Sequence, residues 1–451
     1  MLYDTIDMLV RRNNVGKYFG TDGIRGRHNV ELTNSLAFKV GQSLKGVLGT
    51  TRVVVGMDTR ESSSELLFSV ISGAQSMGID VMNAGVVSTP LISLYSKKKN
   101  IEGVMITASH NPYQDNGIKV FHAGNKLSEQ EELAIEKFID ENNEFTISKL
   151  GKLYSGEEVF DAYVDLVDRL QLNHVDLSIG FDSANGANYK LALGIFRELC
   201  DHYIQIGESP NGKNINDGVG STHIESITAL VNAHQLDIGF SFDGDGDRVL
   251  VIDKNGNLID GDMLIYIIAN YFKDKNVLHK NTVVLTSMSN LGIIKAFERQ
   301  GINVVLTNVG DKYVLDEMNR HDYSIGGENS GHIILKDYIN TGDGLFVALF
   351  ILKILDETKK TLKELTSDIT MWPQTMVNIR TYNKDVLKDP RVVDCVQEVK
   401  DIFGTNGKVL VRASGTEPLV RVTISCEKET DVVKYSTLIV DTIKTVMGEI
   451  K

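Results

Sequence analysis

The chain places a hydroxyl, an imidazole and an ammonium close together in Ser109, His110 and Lys119. An apolar run, Ile101 to Ile106, leads into them and reads as a buried strand that ends in a polar loop. Asn111-Pro112 prevents a helix from continuing, because proline pushes its predecessor toward extended conformations. Asp115-Asn116-Gly117 has the composition of a turn, with Gly117 free to take positive φ. A serine hydroxyl on so shaped a loop suits a covalent intermediate, and the nearby cation suits an anion.

The second constellation is Asp243-Gly244-Asp245-Gly246-Asp247-Arg248. Three carboxylates at alternate positions repel one another unless a cation sits among them. The spacing imitates the start of an EF-hand loop, but Arg248 stands where that loop needs glycine and Lys254 where it needs its closing glutamate. With no Cys or His at hand, the all-oxygen set favours magnesium, completed by a phosphoryl oxygen.

Four further stretches carry groups for an anionic ligand. Gly20-Thr21-Asp22-Gly23-Ile24-Arg25-Gly26 lets the backbone approach closely and offers Arg25 to a phosphate. Gly310-Asp311-Lys312 places a cation just beyond a strand. Gly326-Gly327-Glu328-Asn329-Ser330-Gly331-His332 offers a carboxylate, an amide, a hydroxyl and an imidazole, which suit sugar hydroxyls and a proton shuttle. Arg412-Ala413-Ser414-Gly415-Thr416-Glu417-Pro418, with Arg421 beyond it, has the makings of a phosphate cradle.

The elements that must position these groups repeat one theme: strand, polar loop, helix. Val53–Met57 closes on Asp58-Thr59-Arg60, and a helix follows with Leu66, Leu67, Val70, Ile71, Ala74 and Met77 on one stripe and Gly78 at its C-terminus. Ser128 and Glu131 form a capping-box pattern opening a helix to about Asp140. Strands at 177–181 and 282–285 lead to helices ending near Leu199 and Arg299. The fold expected is three related α/β domains, 1–155, 156–256 and 257–370. A smaller α+β domain follows over 371–451, with strands at 376–380, 408–412 and 419–426. Residues 1–16 precede the first patterned element, as a short helix or a frayed leader.

At 451 residues the chain is too long for one core. A net charge of −13 argues against nucleic-acid or anionic-membrane binding, so any anionic ligand must meet locally gathered Arg and Lys. Cys200, Cys395 and Cys426 are odd in number and far apart, as in a reducing cytoplasm and unlike a disulfide framework. The most apolar segment, 345–355, contains Lys353 and is too short to span a bilayer. A cytoplasmic, soluble protein is expected.

Taken in order, Gly-Thr-Asp-Gly-Ile-Arg-Gly, Thr-Ala-Ser-His-Asn-Pro, Asp-Gly-Asp-Gly-Asp-Arg, Gly-Glu-Asn-Ser-Gly-His and Arg-Ala-Ser-Gly-Thr-Glu-Pro resemble the α-D-phosphohexomutase family. The likeness runs from Gly16 to the C-terminus and is greatest to the family's bacterial aminosugar branch. It implies four domains around a central cleft, the last TATA-binding-protein-like, and interconversion of glucosamine 6-phosphate and glucosamine 1-phosphate. It implies phosphoserine at Ser109, one Mg²⁺ held by that phosphate with Asp243, Asp245 and Asp247, and glucosamine 1,6-bisphosphate as intermediate and activator. Arg25, His110, Lys119 and Arg248 resemble the groups around the transferring phosphoryl, and Lys119 and His332 the acid–base candidates. Lys312, Glu328, Asn329 and Ser330 resemble sugar-phosphate ligands. Arg412, Ser414, Gly415, Thr416 and Arg421 resemble the site for the phosphate that is not transferred. Hexosamine phosphates and a kinase for Ser109 are the partners implied, with a monomer or homodimer as the assembly.

Two residues depart from the family pattern. Ala413 replaces the usual proline, and Asn329 stands where the aminosugar branch has glutamine and the mannose/glucose branch methionine. The competing readings are a phosphoglucomutase or phosphomannomutase, a Mg²⁺-dependent phosphatase using Ser109, and an inactive sugar-phosphate sensor.

Overall fold

The computed structural model describes residues 16–20, 22–141, 149–413 and 418–449. The leader before Gly16 lies outside these residues, as do Ser414, Gly415 and Thr416. Two compact units are formed, Met1–Thr286 with Leu306–Lys363, and Ser287–Val305 with Glu364–Lys451.

The first unit contains a mixed sheet in which Arg52–Met57 lies between Glu102–Ile106 and Asp80–Val86, parallel to both. Asp115–His122 and Gly23–Arg27 extend it antiparallel beyond Glu102–Ile106. The helix Ser63–Ser76 covers one face because its apolar stripe has the helical period. Leu66, Leu67, Val70, Ile71, Ala74 and Met77 are all buried, each large aliphatic contributing about 1.5–3 kcal/mol. Gly78 takes φ +78°, its N–H donating to the Gln75 carbonyl while Ile79 N–H reaches Ala74, so the helix closes as a Schellman motif. The Ser128–Glu131 capping box opens the helix Glu129–Asp140 as the sequence indicates.

The sequence misleads at one point. Asp115-Asn116-Gly117 is the start of the strand Asp115–His122, and Gly117 has no positive φ. Glycine is needed there for close approach: a Cβ would lie 2.4 Å from the Thr107 carbonyl oxygen and 2.7 Å from that of Ile24. Tertiary packing overrides the local turn composition.

A second sheet runs His202–Ile206, Ser178–Asp182, Ile238–Phe242, Val249–Asp253, Leu258–Ile259, with the last two joined through Asn255-Gly256 as a hairpin. A third sheet includes Thr282–Thr286 parallel to Ile325–Gly327, which pairs antiparallel with Ile333–Leu335. The apolar segment near residue 350 is the helix Gly344–Thr358, buried from Leu345 to Leu352 and capped by Asp343. No described helix is long and apolar enough to cross a membrane.

In the second unit Gln374–Arg380, Leu419–Cys426 and Gly407–Ala413 form an antiparallel sheet, with Leu419–Cys426 central. Helices Pro390–Phe403 and Glu429–Glu449 bury Val392, Val399, Ile439 and Ile443 with Val420, Val422 and Ile424 of the central strand. This is the α+β element the sequence implies. The three cysteines are unpaired.

Candidate active site

Ser109 lies in the turn that follows Glu102–Ile106 and is buried. Its φ of +52° lies in the left-handed region, which costs a non-glycine residue about 1–3 kcal/mol. In that conformation its Oγ donates to Asp243 Oδ2 at 2.6 Å. Asp243, Asp245 and Asp247 follow the strand Ile238–Phe242, all buried, with one oxygen of each lying within 4.8 Å of the others. Burial, then the charges of Asp247 and Asp245, push the Asp243 carboxyl well above its usual range. Asp245 Oδ1 and Asp247 Oδ1 are buried without a hydrogen-bond partner. Three converging hard carboxylates, two of them with an orphaned oxygen, fit a divalent cation.

Lys119 reaches this cluster from Asp115–His122. Its Nζ lies 2.9 Å from Asp245 Oδ2, 3.2 Å from Asp247 Oδ2 and 2.9 Å from Asp22 Oδ2. Burial works against its charge, but Asp22, Asp245 and Asp247 prevail and hold it well above the ordinary lysine range. Arg25 pairs with Asp22 at 2.6 Å. Arg248 Nε lies 4.0 Å from Asp243 and 3.8 Å from Asp247. His110 is lowered to about 4 by burial and then by Arg248 and Arg25, so the imidazole beside Ser109 is neutral at pH 7.

His332 Nδ1 lies 3.6 Å from Asp247 Oδ2, and its Nε2 lies 3.3 Å from Asp311 Oδ2 and 3.0 Å from the Gly342 N–H. Burial opposes its charge, while Asp311 and Asp247 raise it above the ordinary histidine value. Glu328 Oε1 accepts from the Gly310 N–H at 2.9 Å, Ser330 Oγ is buried without a partner, and Asn329 is exposed. Lys312 donates to Glu132 Oε2 at 3.0 Å. Within the second unit, Arg412 and Arg421 sit directly opposite each other on adjacent antiparallel strands. Two guanidinium groups so placed can share one anion.

Four participants escaped the sequence reading. Asp22 joins Arg25, Lys119 and Lys126, and burial of its carboxylate is more than offset by Lys119, Lys126 and Arg25, which hold it well below the usual range. Lys126 also pairs with Asp311. A closed alternating circuit results: Asp22, Lys126, Asp311, His332, Asp247, Lys119 and back to Asp22. Asp22 and Asp311 stood inside the glycine-rich stretches that flagged Arg25 and Lys312, whereas Lys126 carries no local signal. Thr89 Oγ1 donates to Asp245 Oδ2 at 2.5 Å, and its N–H donates to the Asp245 carbonyl.

The four domain models of phosphoglucomutase/phosphomannomutase match in order: domain I over residues 16–146, domain II over 161–256, domain III over 260–371 and the C-terminal domain over 376–435. A phosphoglucosamine mutase of Streptococcus agalactiae is 43% identical over 448 residues, covering 96% of this chain and 100% of its own. One from Bacillus cytotoxicus shows the same identity and coverage. Among solved structures, a phosphoglucomutase/phosphomannomutase family protein of Burkholderia thailandensis superposes with a TM-score of 0.79 at 22% identity, covering 95% of this chain and 97% of its own.

Proposed function

Because this chain belongs to the phosphoglucomutase/phosphomannomutase family, we propose that it is a phosphoglucosamine mutase. It interconverts glucosamine 6-phosphate and glucosamine 1-phosphate through phosphoserine at Ser109 and a glucosamine 1,6-bisphosphate. The observation that carries this reading is the Ser109 hydroxyl hydrogen-bonded to Asp243 of the aspartate cluster, with the Lys119 ammonium beside that cluster.

In the first half-reaction the phosphoryl on Ser109 Oγ passes to the free hydroxyl of the sugar phosphate. The P–Oγ bond breaks, a new P–O bond forms, and the hydroxyl proton leaves to a base. After the bisphosphate turns over, its other phosphoryl returns to Ser109 Oγ and the departing sugar oxygen takes a proton. Such transfer needs positioning and neutralised charge more than covalent chemistry. Arg25 and Arg248 supply fixed positive charge around the transferring group. Lys119 and His332 are the proton carriers, each held between carboxylates that fix its orientation. Asp243, Asp245 and Asp247, with a phosphate oxygen on Ser109, would hold one Mg²⁺, which supplies Lewis-acid neutralisation of phosphoryl charge when bound.

Glu328, Asn329 and Ser330 contact the sugar and Lys312 its phosphate. Arg412 and Arg421, with Ser414, Gly415 and Thr416, take whichever phosphate is not reacting. The chain then divides into a phosphoserine domain (1–155), a metal-loop domain (156–256), a sugar-recognition domain (257–370) and a phosphate-binding domain (371–451), in a cytoplasmic enzyme that a kinase primes at Ser109. A panel of glucosamine, glucose and mannose 1-phosphates, each with and without its 1,6-bisphosphate, tests the reading. Isomerisation fastest with glucosamine phosphate supports it. Preference for glucose or mannose phosphate moves the chain to the other branch, and release of inorganic phosphate as the main product makes it a phosphatase.

A further inference from the structure

Asp58 and Arg60 stand outside the reacting groups, yet they reach both backbone polar groups of Ser109. Their side chains form a fully buried pair, Arg60 Nε donating to Asp58 Oδ2 at 2.8 Å. The same Asp58 oxygen accepts from Thr107 Oγ1 at 2.7 Å, and Thr107 Oγ1 accepts the Ser109 N–H at 2.9 Å. On the other side Arg60 Nη2 donates to the Ser109 carbonyl at 2.8 Å and the Asn111 carbonyl at 2.9 Å, while Nη1 donates to the Pro112 carbonyl. Asn216, from the loop that follows the strand His202–Ile206, adds a donor 2.9 Å from the Ser109 carbonyl.

A buried ion pair is weak evidence for stability, because desolvation cancels most of its attraction. Its value here lies in geometry. A left-handed serine persists only where its surroundings over-determine it. One carboxylate fixes the Ser109 N–H through Thr107 and the Ser109 carbonyl through Arg60, leaving Oγ alone to react. The planar guanidinium satisfies three loop carbonyls and Asp58 at once, which a lysine ammonium cannot do.

We propose that Asp58, Arg60 and Thr107 are positioning residues that lock Ser109 in the left-handed conformation aligning its Oγ for phosphoryl transfer. The inference rests on the mutase reading. Thr107→Val removes the acceptor for the Ser109 N–H at almost constant volume, Thr107→Ser restores it, and Arg60→Lys removes most of the carbonyl clamp. The measurements are thermal unfolding, kcat and KM with glucosamine 1-phosphate, and the rate at which Ser109 takes a phosphoryl from glucose 1,6-bisphosphate, read by quenched-flow intact mass. Thr107→Val and Arg60→Lys are expected to slow kcat and uptake by about 10–100-fold with KM within about twofold, and Thr107→Ser to recover the parent rates. Should Arg60→Lys fail to fold, the Thr107 pair decides. A folded Thr107→Val protein that takes up phosphoryl at the parent rate overturns the positioning role, as does Thr107→Ser no faster than Thr107→Val. A parent protein that neither carries a phosphoryl at Ser109 nor takes one up contradicts the mutase reading itself, and the positioning role with it.

Discussion

Ser109 Oγ and Asp243 Oδ2 lie 2.6 Å apart although 134 residues separate them in sequence. The nucleophile of one sheet and the acidic loop of another are therefore in register before any phosphoryl is transferred. That pairing brings the hydroxyl and the cation-binding oxygens onto one centre, where charge neutralisation has its greatest effect.

Metal removal should abolish turnover. After chelation, magnesium is expected to restore activity, whereas Asp245→Asn should leave activity depressed by at least about a hundredfold, since one opposing charge is lost. Thr89→Val should weaken Mg²⁺ binding about 10–100-fold without removing a ligand, because Thr89 orients Asp245. Calorimetric titration of the unphosphorylated proteins with Mg²⁺ checks this. Parent-like affinity in Thr89→Val would contradict the orienting role.

Sugar choice should depend on Asn329. An amide bonded to a charged amine is worth roughly 1.5–3 kcal/mol, or about ten- to a hundredfold in kcat/KM. Glucosamine phosphate should thus exceed glucose phosphate by at least about tenfold, and Asn329→Met should narrow the gap chiefly by harming the aminosugar. Side-by-side kcat/KM values decide it; an unchanged ratio would remove Asn329 from recognition.

Arg412 and Arg421 face each other across a strand pair. Arg421→Gln removes one of the two cationic groups, so KM for glucosamine 1-phosphate should climb about tenfold or more with the melting temperature little changed. A lower melting temperature with unchanged KM would mean the pair serves the fold and not the phosphate.

Stability should show a signature of Asp343. Burial pushes its carboxyl up to about 7, its Oδ1 caps the Phe346 N–H and accepts from Tyr163, and its Oδ2 is buried without a hydrogen-bond partner. The folded state binds this proton more tightly than the unfolded state, so Asp343's contribution to stability is greatest below about pH 4 and is lost as pH rises to about 7. Asp343→Asn keeps a cap acceptor and should gain stability over the parent at pH 8 relative to pH 5, by a few kcal/mol at most. Denaturant titrations at the two pH values measure the difference; equal effects at both would place the carboxylate in a solvated setting.

The legible parts of this protein are those whose chemistry is local. Asp243, Asp245 and Asp247 declare a cation site by their spacing, and Ser109 declares a shaped loop by the proline that follows it. Lys126 and Asp311 are paired across 185 residues, so neither has a neighbour in sequence to betray the other. The same limit explains Gly117: its neighbours spell a turn, but the Thr107 and Ile24 carbonyls that exclude a side chain come from other segments of the chain. Ser109 itself holds the positive φ, a strain visible only once its loop is packed.

The most direct test of the account is intact-mass and peptide analysis of the protein after incubation with glucosamine 1,6-bisphosphate and Mg²⁺. The account predicts a gain of one phosphoryl group, mapped to Ser109, and its transfer to added glucosamine 1-phosphate as the bisphosphate re-forms. It also predicts that Ser109→Ala gains none and loses at least about a thousandfold in turnover. Sustained mutase activity in Ser109→Ala, or a phosphoryl group mapped to any other residue, would contradict it.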